Sequence, residues 1–206
     1  MATLLAARKK ELDAGALAVG WKVGLNGAAI QSMFGLDGLV VGYINDGTVL
    51  QPGEPVDVSG WAAPTLEVEL ALRVGPGGTI GAVAPALELV DIDLPFDRLE
   101  PILAGDIFHR GVLFGAEQSP DSGQGLEVRV TSLTTGDELA AASPADDLAA
   151  TLEAVRAFLA AHGARLEPGH RVIAGSMTPP LPMAAGDGVH VDFGHLGSLD
   201  LSFGAL

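Results

Sequence analysis

Three acidic side chains and one lysine stand where chemistry could be done. Glu67 and Glu69 lie two apart in Leu66-Glu67-Val68-Glu69-Leu70. Residues two apart in a strand share a face, so both carboxylates point one way and Leu66, Val68 and Leu70 point the other. Adjacent carboxylates repel and raise each other's pKa unless a cation intervenes. A hard divalent metal prefers oxygen ligands and removes the conflict. A strand with one wet face explains such a pair equally well, because short motifs are weak. Glu88 adds weight. It is flanked by apolar residues in Pro85-Ala86-Leu87-Glu88-Leu89-Val90, where an acid is costly to bury unless paired or metal-bound. Asp91 and Asp93 follow, but strand alternation puts them on the face opposite Glu88. Lys22, between Trp21 and Val23, is the only lysine beyond Lys10. If desolvated it can shuttle protons or hold a substrate carboxylate; a lysine snorkelling from a strand edge is the plainer reading.

The elements that must position these groups are mostly strands. Residues 1–18 read as a short helix, and 19–206 as one domain. Val19 to Leu25 is a strand interrupted by glycine. Ala28 to Phe34 is a short helix ended by Gly35, and Leu39 to Ile44 a second strand. Thr65 to Val74 alternates strongly and closes in the turn Gly75-Pro76-Gly77-Gly78. Pro85 opens the apolar segment Ala86 to Asp93. Leu103 to Gly115 reads as a further strand region, and Leu126 to Leu133 as a strand leading to a hairpin turn at Thr135-Gly136-Asp137. Residues 146–162 form the clearest helix, with Leu148, Leu152, Val155 and Leu159 at helical spacing. Asp146 or Asp147 caps its start and Gly163 its end. Arg171 to Ala174, Val189 to Phe193 and Leu199 to Phe203 are closing strands. No βαβ alternation is present, so the class is strand-rich α+β.

Composition narrows the partners. A hydrophobic fraction of 48% in 206 residues is enough for a sizeable core. A net charge of -15 argues against nucleic acid and against an anionic membrane surface. An anionic small molecule remains possible where a bound metal supplies local positive charge. With no cysteine, thiolate–zinc sites and cysteine nucleophiles are excluded. The run Leu4-Leu5-Ala6-Ala7 precedes Arg8-Lys9-Lys10, the wrong order for a secretory leader. No stretch is long and apolar enough to span a bilayer. A cytoplasmic protein is the expectation.

Taken in order, these segments resemble the 2-keto-4-pentenoate hydratase and 4-oxalocrotonate decarboxylase family of the fumarylacetoacetate hydrolase superfamily. Gly20-Trp21-Lys22-Val23-Gly24-Leu25 is similar to the family's G-x-K-x-G-L. Gly35-Leu36-Asp37 and Gly42 follow at similar spacing. Leu66 to Leu72 looks like the E-x-E metal strand, and Pro85-Ala86-Leu87-Glu88 like the segment that gives the third ligand. Near the C-terminus Gly175-Ser176-Met177-Thr178, Leu181-Pro182, Ala185-Gly186-Asp187 and Asp192-Phe193-Gly194-His195-Leu196-Gly197-Ser198 complete the likeness. The resemblance covers 19 to 203, densely at both ends and thinly from 95 to 165.

The resemblance implies a mixed β-roll with a few flanking helices and a homo-oligomer. It implies Mg²⁺ or Mn²⁺ held by Glu67, Glu69 and Glu88, chelating the carboxylate and 2-oxo oxygens of a small 2-keto acid. Lys22 becomes a proton-transfer or carboxylate-binding residue; Leu25, Ser176 and Thr178 face the substrate. Hydration of a 2-hydroxydienoate and decarboxylation of a vinylogous keto acid both fit. Some positions depart from the family. Only a short helix precedes Gly20. Val40-Val41 stands where an acid often precedes the glycine matched by Gly42, and Asp46 is the nearby substitute. Gly105-Asp106-Ile107 replaces A-D-N, keeping Asp106 and losing the amide. Ala142-Ser143-Pro144 replaces G-H-P. The main alternative, a carbon–carbon bond hydrolase of the same superfamily, typically needs a His and a Glu to activate water; Asn26 to Gln31 supplies neither. A non-catalytic binding protein retaining the fold is the other alternative. Of the five histidines, His162 and His170 read as surface residues and His190 and His195 as structural; His109 follows Asp106 and could approach the site.

Overall fold

The computed structural model describes residues 1–143 and 147–204. In chain order its elements are α1 (Ala2–Asp13), β1 (Ala18–Gly24), α2 (Ala28–Phe34), β2 (Val40–Asn45), β3 (Val56–Asp57), β4 (Pro64–Val74) and β5 (Ile80–Asp91). Then come α3 (Leu99–Ala104), β6 (His109–Phe114), β7 (Val128–Ser132), β8 (Glu138–Ala142), α4 (Leu148–Ala161), β9 (Arg171–Ile173), β10 (Leu181–Pro182), β11 (Gly188–Asp192) and β12 (Ser198–Gly204). One sheet runs β2-β1-β9-β4-β5-β6, with β10 also on β4; the other runs β3-β12-β11-β7-β8. Pairing is antiparallel except at β1–β9 and β3–β12. The architecture is the strand-rich α+β roll expected. No helix of the described residues is long and apolar enough to cross a membrane.

The two faces of β4 explain the roll. Leu66, Val68, Leu70, Leu72 and Val74 are all buried in the main core, with Trp21, Leu87, Leu89, Val172 and Phe193. Helix α4 adds Leu152, Val155 and Leu159. The opposite face carries Glu67 and Glu69 and then Ala71, which packs with Ala84, Ala86, Val112 and Ile173.

Several elements differ from the sequence reading. The first helix ends at Asp13, four residues before β1, so it does not run to residue 18. Pro85 lies inside β5 rather than opening it. A residue's N–H and C=O point to the same side of its strand. Pro85 accepts from Gly115 N at 2.8 Å on the β6 side, just past the end of β6. The missing N–H therefore falls between the end of the regular β5–β6 ladder and the isolated Val83–Gln118 bridge, where it interrupts no continuous pairing. Leu103 to Gly115 is not one strand: α3 ends at Ala104, a single tight turn spans Asp106–Phe108, and only then does β6 begin. Pro101 sits in the first turn of α3, where a missing N–H costs nothing. Asp147 caps α4, accepting from Ala149 N and Ala150 N at 3.0 and 3.1 Å. Gly163 follows the helix in the left-handed conformation, φ 74°, as a C-terminal cap requires. Asp146, the other candidate cap, and Pro144 lie outside the described residues.

Candidate active site

Strand register brings the three acids together. Glu67 on β4 is directly opposite Glu88 on β5, and Glu69 is opposite Ala86. Glu88 and Glu69 thus flank the same point on one face. One carboxylate oxygen from each of Glu67, Glu69 and Glu88 lies within 4.8 Å of the others. Glu69 and Glu88 are fully buried; Glu67 is partly exposed. The partner inventory is informative. Glu69 Oε2 accepts from Gly175 N at 2.8 Å, while Glu69 Oε1 has no partner. Glu88 Oε1 is engaged by Lys22 and His109, while Glu88 Oε2 has none. Buried acceptors are normally satisfied. Two orphaned carboxylate oxygens in an all-oxygen donor set fit a hard divalent cation.

The backbone amide on Glu69 depends on a break in the sheet. After β9 the chain continues along β4, with Ala174 N bonding Leu70 O at 3.0 Å and Met177 N bonding Val68 O at 2.8 Å. Between them Gly175, at φ 102°, turns its N–H out of the ladder and onto the carboxylate. A Cβ at Gly175 would also stand 2.4 Å from Asn26 Nδ2, and the positive φ strains any side chain there, so glycine is strongly favoured.

Lys22 is not a surface lysine. It is 2% exposed, forms a close ion pair with Glu88 Oε1, and donates to Ile107 O at 3.0 Å. Its stem lies over Gly42, where a Cβ would come within 2.7 Å of both Lys22 Cγ and Asp106 Oδ1. The carbonyl that receives Lys22 sits in a strained turn: Asp106, Ile107 and Phe108 all have φ between 51° and 66°. Left-handed backbone at a β-branched residue such as Ile107 is a genuine outlier, of the kind that clusters at functional sites. Asp106 Oδ1 accepts from Tyr43 N at 3.0 Å. Behind it, a second cavity of about 250 Å³ is bordered by Asp106, His109, Glu11 and Tyr43.

Four carboxyl groups therefore surround one ammonium. Burial pushes Glu67 up to about 7, with Glu88 adding to the rise and Lys22 opposing it. Burial also drives Glu69 well above the usual range, helped by Glu88 and Glu67. Glu88 is buried too, but Lys22 and His109 outweigh that and hold it below its usual value. Burial raises Asp106 to about 8 against the pull of Lys22 and the Tyr43 amide. Burial alone would lower Lys22; Glu88, Glu67 and Asp106 more than compensate, so it holds its proton above the ordinary range. These environments pull the acids apart, as expected of a site built for a cation.

Beside Glu67 and Lys22 a pocket of about 230 Å³ opens, lined also by Leu25, Ile107 and Ser176. Ser176 Oγ donates to Thr178 O at 2.8 Å. Thr178 Oγ1 is buried without a partner. A larger open groove of about 730 Å³ beside α4 shares no residue with the acids. Asp46 is not brought to the site. It is exposed and accepts from Leu17 N at 2.8 Å, tying the turn after β2 to the start of β1. The position before Gly42 is filled by Val41, fully buried in the core. His109, by contrast, is at the centre: Nδ1 meets Glu88 Oε1 at 2.7 Å and Nε2 meets Thr48 Oγ1 at 3.0 Å. Burial keeps its pKa low despite Glu88. Sequence reasoning did not find Thr48 or the Gly175 amide as supports, because each acts only through a residue distant in the chain.

The roll is a fumarylacetoacetate hydrolase-like fold, and its carboxylate cluster is that of a metal-dependent lyase. No family model matches the chain, but individual proteins do. It is 28% identical over 211 residues to a 2-oxo-hept-4-ene-1,7-dioate hydratase of Escherichia coli, covering 89% of this chain and 78% of that protein. It is 26% identical over 217 residues to a 4-oxalocrotonate decarboxylase of a Pseudomonas species, covering 93% and 80%. The solved 4-oxalocrotonate decarboxylase of Pseudomonas putida G7, complexed with magnesium and adipate, superposes with a TM-score of 0.84 at 23% identity, over 97% of this chain and 83% of that one. The similarity to these hydratases and decarboxylases runs over nearly the whole chain and supports the resemblance read from the sequence.

Proposed function

We propose that this enzyme acts on a small 2-keto acid, as a hydratase of a 2-hydroxydienoate or a decarboxylase of a vinylogous keto acid, with Mg²⁺ or Mn²⁺ held by Glu67, Glu69 and Glu88. The observation that carries the reading is the pair of buried, unpartnered oxygens, Glu69 Oε1 and Glu88 Oε2, converging with Glu67. The bound ion would polarise the 2-oxo group and offset the negative charge that develops on it. The chain's own groups do the rest. Lys22 stays protonated and is aimed by Glu88 and Ile107 O, so it serves as a proton donor and as a hydrogen-bond donor to substrate oxygen. The Thr178 hydroxyl, buried without a partner, and Ser176 at the pocket wall offer substrate hydrogen bonds. Phe108, Ile107 and Val90, all buried, keep water from the inner pocket. His109 and the Gly175 amide orient two of the acids.

The test is exchange of the C3 protons of 2-oxobutanoate in deuterated water, followed by proton NMR. Exchange is expected with Mg²⁺ or Mn²⁺ and is abolished by chelator. Absence of exchange at saturating metal would defeat the proposal and favour a binding protein.

A further inference from the structure

The pocket beside Glu67 has a lining of two chemical kinds. Lys22, Glu67, Asn26 and Ser176 are polar; Ile30, Val90, Ile92, Phe96, Phe108 and Pro180 form an apolar wall. Among the described residues no arginine lines it, and Lys22 is its only basic group. That ammonium is already committed to Glu88 and to Ile107 O. Arg98, two residues beyond Phe96, is exposed and is not part of the lining. Arg110 is turned away onto Asp93 and Asp91, at 3.1 and 3.7 Å. With a net charge of -15, the chain supplies no general field to compensate. The cavity, about 230 Å³, is also small, below the roughly 300 Å³ at which pockets for drug-sized ligands begin.

We infer that the site selects a monocarboxylic 2-keto acid with a short apolar tail and discriminates against dicarboxylates. This rests on the proposed function above, which places the keto-acid head at the three acids and directs the tail to the apolar wall. A second carboxylate on that tail would sit against Phe96, Ile92 and Phe108 with no donor to receive it. Burying a charge without a partner is among the costliest substitutions a site can face. The contrast with the relatives is direct. The Escherichia coli hydratase is named for a heptenedioate, and the Pseudomonas putida decarboxylase structure carries adipate; both molecules are dicarboxylates.

The inference also separates the two reactions. Decarboxylation of a vinylogous keto acid needs a second carboxylate on the tail, which this wall disfavours. Hydration of a monocarboxylic 2-hydroxy-2,4-dienoate does not. Water's hydroxyl bonds to C4. Its remaining proton and the enol proton end on C5 and C3, and the enol becomes the 2-oxo group. Nothing is released, and no charged tail has to be accommodated.

Matched pairs of equal chain length test this: 2-oxopentanoate against 2-oxoglutarate, and 2-oxohexanoate against 2-oxoadipate. Each is measured with the Mn²⁺-loaded enzyme, by C3 proton exchange and by calorimetric binding. An apolar pocket already rejects a single added hydroxyl by about a hundredfold, so the monoacid should be preferred by about a hundredfold or more in both readouts. Equal or better binding and exchange of the diacids would overturn the inference while leaving the proposed function intact. Exchange of neither member would instead remove the proposed function, and the inference with it. A second arm uses Phe96→Arg, with the fold checked by its unfolding temperature. It should raise diacid affinity at least tenfold; no gain would overturn the placement of the tail against Phe96.

Discussion

Two ligands of one proposed metal should respond in opposite ways to the same substitution when the metal is removed. Consider Glu88→Gln and Glu69→Gln in chelator. Among the described residues, Glu88 Oε1 is the only carboxylate oxygen bonded to Lys22, and Lys22 is 2% exposed. Neutralising Glu88 leaves a buried ammonium with the Ile107 carbonyl as its remaining hydrogen-bond partner and only the more distant Glu67 and Asp106 for charge. Breaking a buried pair from one side costs about 3–5 kcal/mol. For a domain of this size each kcal/mol moves the unfolding temperature by about 2–4 °C. Glu88→Gln should therefore unfold roughly 10 °C lower. Glu69 is surrounded differently. Its main neighbouring charges are those of Glu88 and Glu67, both of its own sign, and its one hydrogen bond comes from the Gly175 amide. A glutamine carbonyl can keep that bond while the repulsion disappears. Metal-free Glu69→Gln should be at least as stable as the parent. With Mg²⁺ at a hundred times its Kd, the parent should gain about 2.7 kcal/mol, and both variants should lose most of that gain. Thermal unfolding followed by circular dichroism, with and without Mg²⁺, measures all of this. Equal metal-free stabilities for the two variants would refute the assignment of opposite electrostatic surroundings. An undiminished Mg²⁺ shift in Glu69→Gln would refute its role as a ligand.

Three further outcomes follow from the same geometry. Lys22→Met should keep Mg²⁺ affinity in calorimetry, because it removes a positive charge beside the acids, while turnover falls about a hundredfold or more; full turnover would make Lys22 structural only. Gly42→Ala puts a methyl 2.7 Å from Lys22 Cγ and Asp106 Oδ1. It should cost about 1–3 kcal/mol and reduce turnover, and an unchanged unfolding temperature and rate would contradict the packing described. His170 accepts from Trp21 Nε1 at 3.3 Å and from Glu167 N at 3.2 Å, and burial lowers its pKa, with Glu167 partly opposing and Arg8 assisting. The unfolded chain then binds a proton near pH 6.5 that the folded chain refuses, so this residue's contribution to stability declines as pH falls below about 6.5. Unfolding of the parent and of His170→Asn from pH 8 to 5 should show their stability difference changing through that range; a constant difference would contradict it.

The sequence by itself determined the alternation that sets Glu67 and Glu69 on one face of β4, with Leu66, Val68 and Leu70 on the other. A period of two survives whatever the strand packs against. It also determined the capped helix α4, whose apolar spacing and terminal Asp147 and Gly163 are local signals. The place of Glu88 was suggested by its apolar neighbours, but only the β4–β5 register put it opposite Glu67. Residues whose work depends on contacts made across long stretches of chain were decided by the tertiary structure alone. Lys22 read most plainly as a snorkelling side chain, yet the Asp106–Phe108 turn and Gly42 enclose it. Asp46 reads as a substitute acid, yet it ties the turn after β2 to the start of β1. His109 and the Gly175 amide became supports of Glu88 and Glu69 because sheet order, which no local window encodes, carried them there. Pairing energy depends on which strands meet, and burial on what lies above them; both are properties of the folded whole.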